Sequence, residues 1–337
     1  MKLKRFMMFL VVLVVSVSLG MMTYYFVRND EVVSISTRPL YMNVGSKISL
    51  DDLEFSHTHA NESTTIDFNA GGEEVKEIVE YKENTETGDQ WYEAKKGGKT
   101  TIKITTSNKK FPSFSIDVVV GDGSNEFPFV INNELEFSTI GEENRPLSAS
   151  YQLADDITLT KEFVPIGIKT VNNLTTIQQF TGKFDGNGYS ISGLSIKTSY
   201  EKAGLFAHIS SSATVQRLIL KNADIEGSFQ YVGAIAGQND GVVTRCTVES
   251  TSIKNARTDE NTASGLVIGY QNCAEGNNQD NLTRGLLKTS ATGSILAKNY
   301  VGGLIGMINN GVLQACWSNV DIRSEEHTSE LQSPVPI

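Results

Sequence analysis

The sequence predicts an all-β protein: a unit of short strands followed by a stacked β-solenoid, with an apolar helix at the N-terminus. Three observations carry this. Four glycine-pinned apolar clusters recur at Ala203–Ala207 (AGLFA), Val232–Gly237 (VGAIAG), Ser264–Gly269 (SGLVIG) and Val301–Gly306 (VGGLIG), with Gly204, Gly233, Gly265 and Gly302 spaced 29, 32 and 37 residues apart. Short strands with such a period mark coils that stack because none buries its apolar face alone. Upstream, short alternating segments fill residues 31–121, and the chain opens on an uncharged run.

That run, Phe6 to Val27, follows Lys2, Lys4 and Arg5 and is closed by Arg28, Asn29 and Asp30. As a helix it spans roughly 33 Å, enough to cross a bilayer with its positive end in the cytoplasm. Residues 1–30 are therefore read as a signal-anchor or a signal peptide. Ser18-x-Gly20 offers a cleavage site, but the apolar run continues through Met21 to Val27, which favours an uncleaved anchor. The segment holds no cysteine to lipidate. Either reading places the remainder outside the membrane.

Residues 31–121 form a separate unit, ended by a Gly/Asp/Ser/Asn joint at 122–125. Strands are expected at Val32–Ile35, Leu40–Val44, Ile48–Leu53, Thr64–Phe68, Gln90–Ala94, Thr100–Thr105 and Phe114–Val120. That count suits an Ig-like sandwich, with Trp91 in its core. The run Tyr92–Ile104 (YEAKKGGKTTIKI), with Leu40-x-x-Asn43-Val44-Gly45, resembles bacterial Ig-like domains of the intimin/invasin type, which act as spacers beside an anchor.

From 126 to 322 the repeat governs. Each unit pairs two strands through a turn such as Asp240-Gly241 or Asn310-Gly311, residues that tolerate positive φ. Val215, Leu218 and Leu220 are expected inward, Gln216 and Lys221 outward. Glycines inside strands pack nothing, so the repeat glycines Gly204, Gly233, Gly237, Gly265, Gly269, Gly302, Gly303 and Gly306 imply close approach of neighbouring backbone or a bulky side chain. An antiparallel sandwich is the alternative.

The run Phe180–Leu194 (FTGKFDGNGYSISGL), then Gly204-Leu205-Phe206 and the Gly-x-x-x-Gly units, resembles the GLUG-motif proteins of bacterial surfaces. The resemblance implies a right-handed parallel β-helix, found in adhesins and in very large surface proteins that include peptidases. One unit departs from the pattern: Tyr270 to Asn281 forms a longer polar insert, expected to bulge from one face. Residues 323–337 resemble a translated sequencing-adapter oligonucleotide and are set aside as an artefactual tail, so the solenoid is expected to continue past Ile322.

The formal charge is −10; the adapter-like tail holds one Arg against three Glu, so the balance without it is −8. An acidic exterior argues against nucleic-acid binding, which needs a basic stripe. Cys246, Cys273 and Cys316 are scattered without metal spacing and read as small residues inside the coil. Asp185-Gly186-Asn187-Gly188 contains a Gly-x-Gly, but a strand follows where a dinucleotide site needs a helix, so it is read as a turn between coils. His57 and His59 lack a third ligand and read as an exposed loop; His208 reads as an edge histidine. Asp155, Asp156 and Asp185 are the acids that could serve a polysaccharide-acting site, and a structural role is favoured for all three. Neither His-Glu-x-x-His nor Gly-x-Ser-x-Gly occurs. No catalytic, cofactor or metal residue is assigned.

The expectation is a non-catalytic bacterial surface or secreted protein that binds a glycan or protein ligand, through loops 222–231, 254–263 and 270–299. Two alternatives stay open: the scaffold of a larger surface enzyme, or a spacer without ligand.

Overall fold

A computed structural model of the chain describes residues 26–28, 31–34, 39–50, 52, 56–58, 66–67, 73–106, 114–172, 174–278, 280 and 282–323. It divides into two compact units between Asp122 and Gly123. No helix among the described residues is long and apolar enough to cross a membrane. The expected span Phe6–Val27 lies outside them, apart from Phe26 and Val27, which open the strand Phe26–Arg28. Residues 324–337 also lie outside. Arg323, set aside with that tail in the sequence reading, instead ends a strand, paired in register with Leu296.

Among the described residues, the first unit holds three small sheets. In the four-stranded one, Phe114–Gly121 runs parallel to Leu40–Asn43 and antiparallel to Gly98–Thr106, with Ile66–Asp67 outermost. Lys47–Ser49, Gln90–Ala94 and Val79–Glu83 form an antiparallel sheet, and Phe26–Arg28, Glu31–Ser34 and Ser56–Thr58 another. Met42, Val79, Tyr92, Ile102, Ile104, Ile116, Val118 and Val120 make the core.

Three expectations are corrected here. Tyr92 takes the core place assigned to Trp91, because adjacent strand residues point to opposite faces; Trp91 is half-buried with Lys47 Nζ 5.2 Å from its ring centre. The helix Glu73–Ile78 and the strand Val79–Glu83 were not foreseen. That strand (VEYKE) carries charges on its outer face, where Lys82 pairs with Glu80 at 3.6 Å and with Glu93. His57 lies in a strand opposite Val33 rather than in a loop, and His59 lies outside the described residues.

The second unit is a solenoid whose described parallel strands stack in four sheets, here called faces in the order the chain visits them. The first face has seven strands: Phe129–Ile131, Ser150–Leu153, Lys183–Asp185, Thr214–Gln216, Val242–Thr244, Gly285–Leu287 and Val312–Gln314. The second runs through Ile157–Thr158, Ser190–Ser192 and Ile219–Lys221 to the long strands Thr247–Asn255, Ser290–Leu296 and Trp317–Arg323. The third stacks Lys202–Ala203, Tyr231–Val232, Ala263–Gly265 and Val301–Gly302; the fourth stacks Phe206–Ile209, Ala236–Asn239, Ile268–Asn272 and Ile305–Asn310.

Register turns the sequence into columns. Tyr151, Phe184, Val215, Val243 and Leu286 stack inward along the first face, every one fully buried. Ile196, Ile225, Ile253 and Ile295 do the same along the second. Val215, Leu218 and Leu220 are buried as expected. Large aromatics fill the early coils, with the Phe180 and Phe206 rings 4.8 Å apart and Phe184 5.6 Å from Phe206. At Phe206's level the later coils carry Ala236, Ile268 and Ile305.

Corners between the first two faces are bent by left-handed residues, and most are not glycine. Arg217, Arg245, Lys288 and Ala315 occupy equivalent places with φ of 52°, 54°, 48° and 54°. The first three each donate their backbone N–H to the following coil, to Thr244, Leu287 and Gln314 carbonyls. A left-handed residue with a Cβ costs about 1–2 kcal/mol, offset here by bonds that continue the ladder through the corner. At Gly311 the expected positive φ is present, at 107°. Gly241 differs: its φ is not positive, and glycine is needed because a Cβ would lie 2.3 Å from the Ser210 carbonyl oxygen.

Candidate binding face

The repeat glycines close a seam between the third and fourth faces. A Cβ on Gly233 would lie 2.6 Å from Ile268 Cα of the next coil; one on Gly265 would lie 2.5 Å from the Gly306 nitrogen. Looking back, a Cβ on Gly237 would meet the Ala203 nitrogen at 2.7 Å, on Gly269 the Val232 nitrogen at 2.4 Å, and on Gly306 the Ser264 nitrogen at 2.5 Å. The first glycine of each Gly-x-x-x-Gly thus admits the following coil and the last admits the preceding one. Gly204 obeys the same rule, against the Gly233 carbonyl oxygen of the next coil; Gly302 instead meets the Ile305 carbonyl oxygen of its own coil. Gly303 does not: its nearest neighbour is a side chain, Ser318 Oγ at 2.7 Å. In the coil of Gly204 the place of the last glycine falls to Ala207, because Phe206 is in register with Ala236.

The mouth of this seam carries chemistry. Tyr231 and Tyr270 flank it from opposite faces, their rings 4.7 Å apart and 27° from parallel. Burial pushes the Tyr231 phenol above its ordinary value. One coil earlier Lys202, in register with Tyr231, is half-buried, and burial lowers its ammonium from 10.5. His208, 7% exposed, meets Asp240 through Nε2 at 2.8 Å, and Gln238 Nε2 donates to the other Asp240 oxygen at 2.9 Å. Sequence reasoning missed Lys202, Tyr231 and Tyr270. The available signal was position: Tyr231 lies two residues before Gly233, and Tyr270 directly follows Gly269.

An insertion walls one end of this strip. Ile166 and Phe180 hold the places of Phe206 and Ile209 in the coil below. Between them the strand leaves the face as an antiparallel hairpin, Ile168–Val171 with Leu174–Ile177. Gly167, with φ 96°, is the hinge; its amide partner is Gln178, which donates to its carbonyl at 2.7 Å.

The turn Asp185-Gly186-Asn187-Gly188 is a structural cluster. Asp185 accepts from the Asn187 N–H (2.8 Å), Gln216 Nε2 (2.8 Å) and Arg217 Nε (2.9 Å), and pairs with Arg217 Nη2. Asn187 and Gly188 are left-handed at 52° and 86°, and a Cβ on Gly186 would meet the Arg217 carbonyl oxygen at 2.5 Å. Asp156 accepts from both the N–H and hydroxyl of Ser190, and Asp155 caps Asp156 N. Asp185 and Asp156 are thus committed to backbone and side-chain donors of the adjoining residues and coil.

The expected loops are redistributed. Within 222–231, Asp224–Gly227 is a strand. Within 254–263 the loop proper is 256–262, where Asn299 Nδ2 donates to the Thr258 and Asp259 carbonyls. Within 270–299, Gly285–Leu287 and Ser290–Leu296 are strands of another coil, and the described residues of the insert between Asn272 and Gly285 lie outside the strands. That insert lies back across earlier coils instead of bulging away: Asn278 Nδ2 donates to Thr214 Oγ1 at 2.7 Å and Asp280 pairs with Lys183 at 2.8 Å. Cys246 and Cys273 are buried and Cys316 half-buried, all free. Burial pushes the Cys246 and Cys273 thiols up to about 12. Among the described residues no group of three or more His, Cys, Asp or Glu could hold a metal ion.

No protein-family model matches the chain, and no solved structure matches it. A stretch of 137 residues, 39% of the chain, is 31% identical to halomucin from Haloquadratum walsbyi, covering 2% of that protein. A stretch of 134 residues, 38% of the chain, is 32% identical to a protein of Evansella cellulosilytica described as a Gly-rich membrane protein, covering 15% of it. The chain thus spans a small part of these relatives, and its similarity to them is distant.

Proposed function

We propose that this chain is the non-catalytic part of a bacterial cell-surface or secreted protein that binds an extracellular glycan or protein through its solenoid. In this reading the N-terminal segment anchors the chain, the first unit is an Ig-like spacer, and the second is a right-handed GLUG-type β-helix. The observation that carries it is the seam: backbone-to-backbone glycine contacts recur from coil to coil and give a stiff scaffold. Rigid scaffolds that display loops suit recognition. Similarity to a Gly-rich membrane protein supports the membrane-associated setting.

The test displays the full chain on a non-adherent bacterial host and measures cell retention on immobilised glycans and matrix proteins. Retention above the empty host is expected, falling when loops 256–262 and 273–284 are replaced by Gly/Ser. Retention equal to the empty host on every surface contradicts the reading. The second reading, scaffold of a larger surface enzyme, draws on the small share of its relatives' length that the chain covers.

A further inference from the structure

The Ile168–Ile177 hairpin interrupts one coil, where every later coil passes directly from Gly204, Gly233, Gly265 or Gly302 into the fourth face. It encloses, with the segment Thr198–Lys202, a cleft of about 650 Å³. That volume lies within the range of small-molecule sites. The lining mixes an apolar wall from Ile168 and Ile177 with hydroxyls from Thr170, Thr175 and Thr198. Thr170 and Thr175 share one hydrogen bond at 3.0 Å, which leaves each hydroxyl further capacity to donate or accept. Tyr200 adds its ring. Such a surface matches sugars, which carry hydroxyls around apolar C–H faces.

Lys202 decides the charge. It is half-buried at the cleft, and no hydrogen bond or ion pair reaches its ammonium among the described residues. Gly237 makes room for it: a Cβ there would lie 2.8 Å from Lys202 Cβ. Asp240, one of the two acids whose charge reaches Lys202, is committed to His208 and Gln238. Glu201, the other charged residue of the lining, is suited to accept from sugar hydroxyls. The charges of Glu201 and Asp240 reach Lys202 only through space, and a half-buried cation with no hydrogen bond or ion pair forfeits hydration that an incoming anion restores. Lys202 is in register with Tyr231 of the Tyr231–Tyr270 pair, one coil on.

We propose that this cleft binds a carboxylate-bearing sugar unit of an acidic polysaccharide, with the carboxylate on Lys202 and the ring hydroxyls on the threonines of the hairpin. The assignment rests on the extracellular-binding reading above and names its ligand class. The test titrates the full chain, in detergent, with uronic-acid oligomers (galacturonate, glucuronate and mannuronate series), with the carboxyl-reduced neutral oligomers, and with hexaglutamate. Binding of at least one uronate series is expected, with neutral oligomers and hexaglutamate at least tenfold weaker. Lys202→Met should lower the uronate affinity at least tenfold, Lys202→Arg should retain most of it, and Thr170→Val with Thr175→Val should reduce it severalfold. Unchanged melting curves separate these losses from misfolding. Failure of every uronate series, equal binding of the neutral or peptide probes, or indifference to Lys202→Met overturns the proposal. Cell retention that persists in such a case leaves the broader reading standing and moves the ligand to another face.

Discussion

A Cβ placed on Gly269 would lie 2.4 Å from the backbone nitrogen of Val232, one coil earlier. Backbone on a packed seam cannot rotate away as a side chain would. Gly269→Ala should therefore reach or exceed the upper end of the usual overpacking range, about 1–3 kcal/mol, read as a lower denaturant midpoint. Gly276→Ala is the comparison: nothing lies within 4 Å of its Cβ position, and only its φ of 101° opposes the change, for about 1–2 kcal/mol. Equal losses would mean that the seam is looser than described.

Asp185 ties two coils together through Asn187, Gln216 and Arg217. Asp185→Ala removes the acceptor for all three, and should cost on the order of 1–3 kcal/mol. Arg217→Ala, which leaves the Asn187 and Gln216 bonds in place, should cost less. Chemical denaturation of both variants checks the order.

Thiol chemistry should follow burial. Cys246 and Cys273, raised to about 12 by desolvation, should resist alkylation at pH 8 in the folded chain, with half-buried Cys316 modified first. All three should label together in denaturant. Rapid native labelling of Cys246 would place it outside the coil.

Acid should loosen two exposed caps. Glu162 accepts from the Thr198 hydroxyl and N–H at 2.6 and 2.8 Å, and these bonds hold its carboxyl below the ordinary 4.5. Glu134 is lowered likewise by the N–H and hydroxyl of Thr160. A lowered folded value means that the stabilisation is complete above about pH 4.5 and is lost as pH falls through the folded pKa. Glu162→Gln should flatten the acid limb of the stability profile below that pH and leave its slope above unchanged. An identical acid limb in variant and wild type would remove Glu162 from this role.

Period and inward columns were legible because glycine spacing and alternation are written directly into residues such as Gly233, Gly265, Val215 and Leu220. The corners were not, since Arg217, Arg245 and Lys288 adopt a left-handed backbone that these residue types seldom advertise. The hairpin escaped because Ile168–Ile177 pairs only with itself and interrupts a strand whose ends, Ile166 and Phe180, are adjacent in space but not in sequence. Val79–Glu83 was hidden by the charges it turns outward. Lys202, Tyr231 and Tyr270 become a site only through register, which brings together residues from different coils.

Register is the claim on which the seam, the strip and the cleft all depend. Gln152 and Gln314 sit on the first face, linked through Asp185, Gln216, Thr244 and Leu287 by five inter-strand steps. At about 4.8 Å per step, nitroxides at Gln152→Cys and Gln314→Cys should lie about 24 Å apart, broadened only by the label tethers. Double electron–electron resonance on the full chain, with Cys316 replaced by Ser so that the two introduced thiols take the label, reads that distance. A single narrow peak near it is the expected result; a broad distribution, or a peak beyond about 35 Å, would contradict the stacked solenoid.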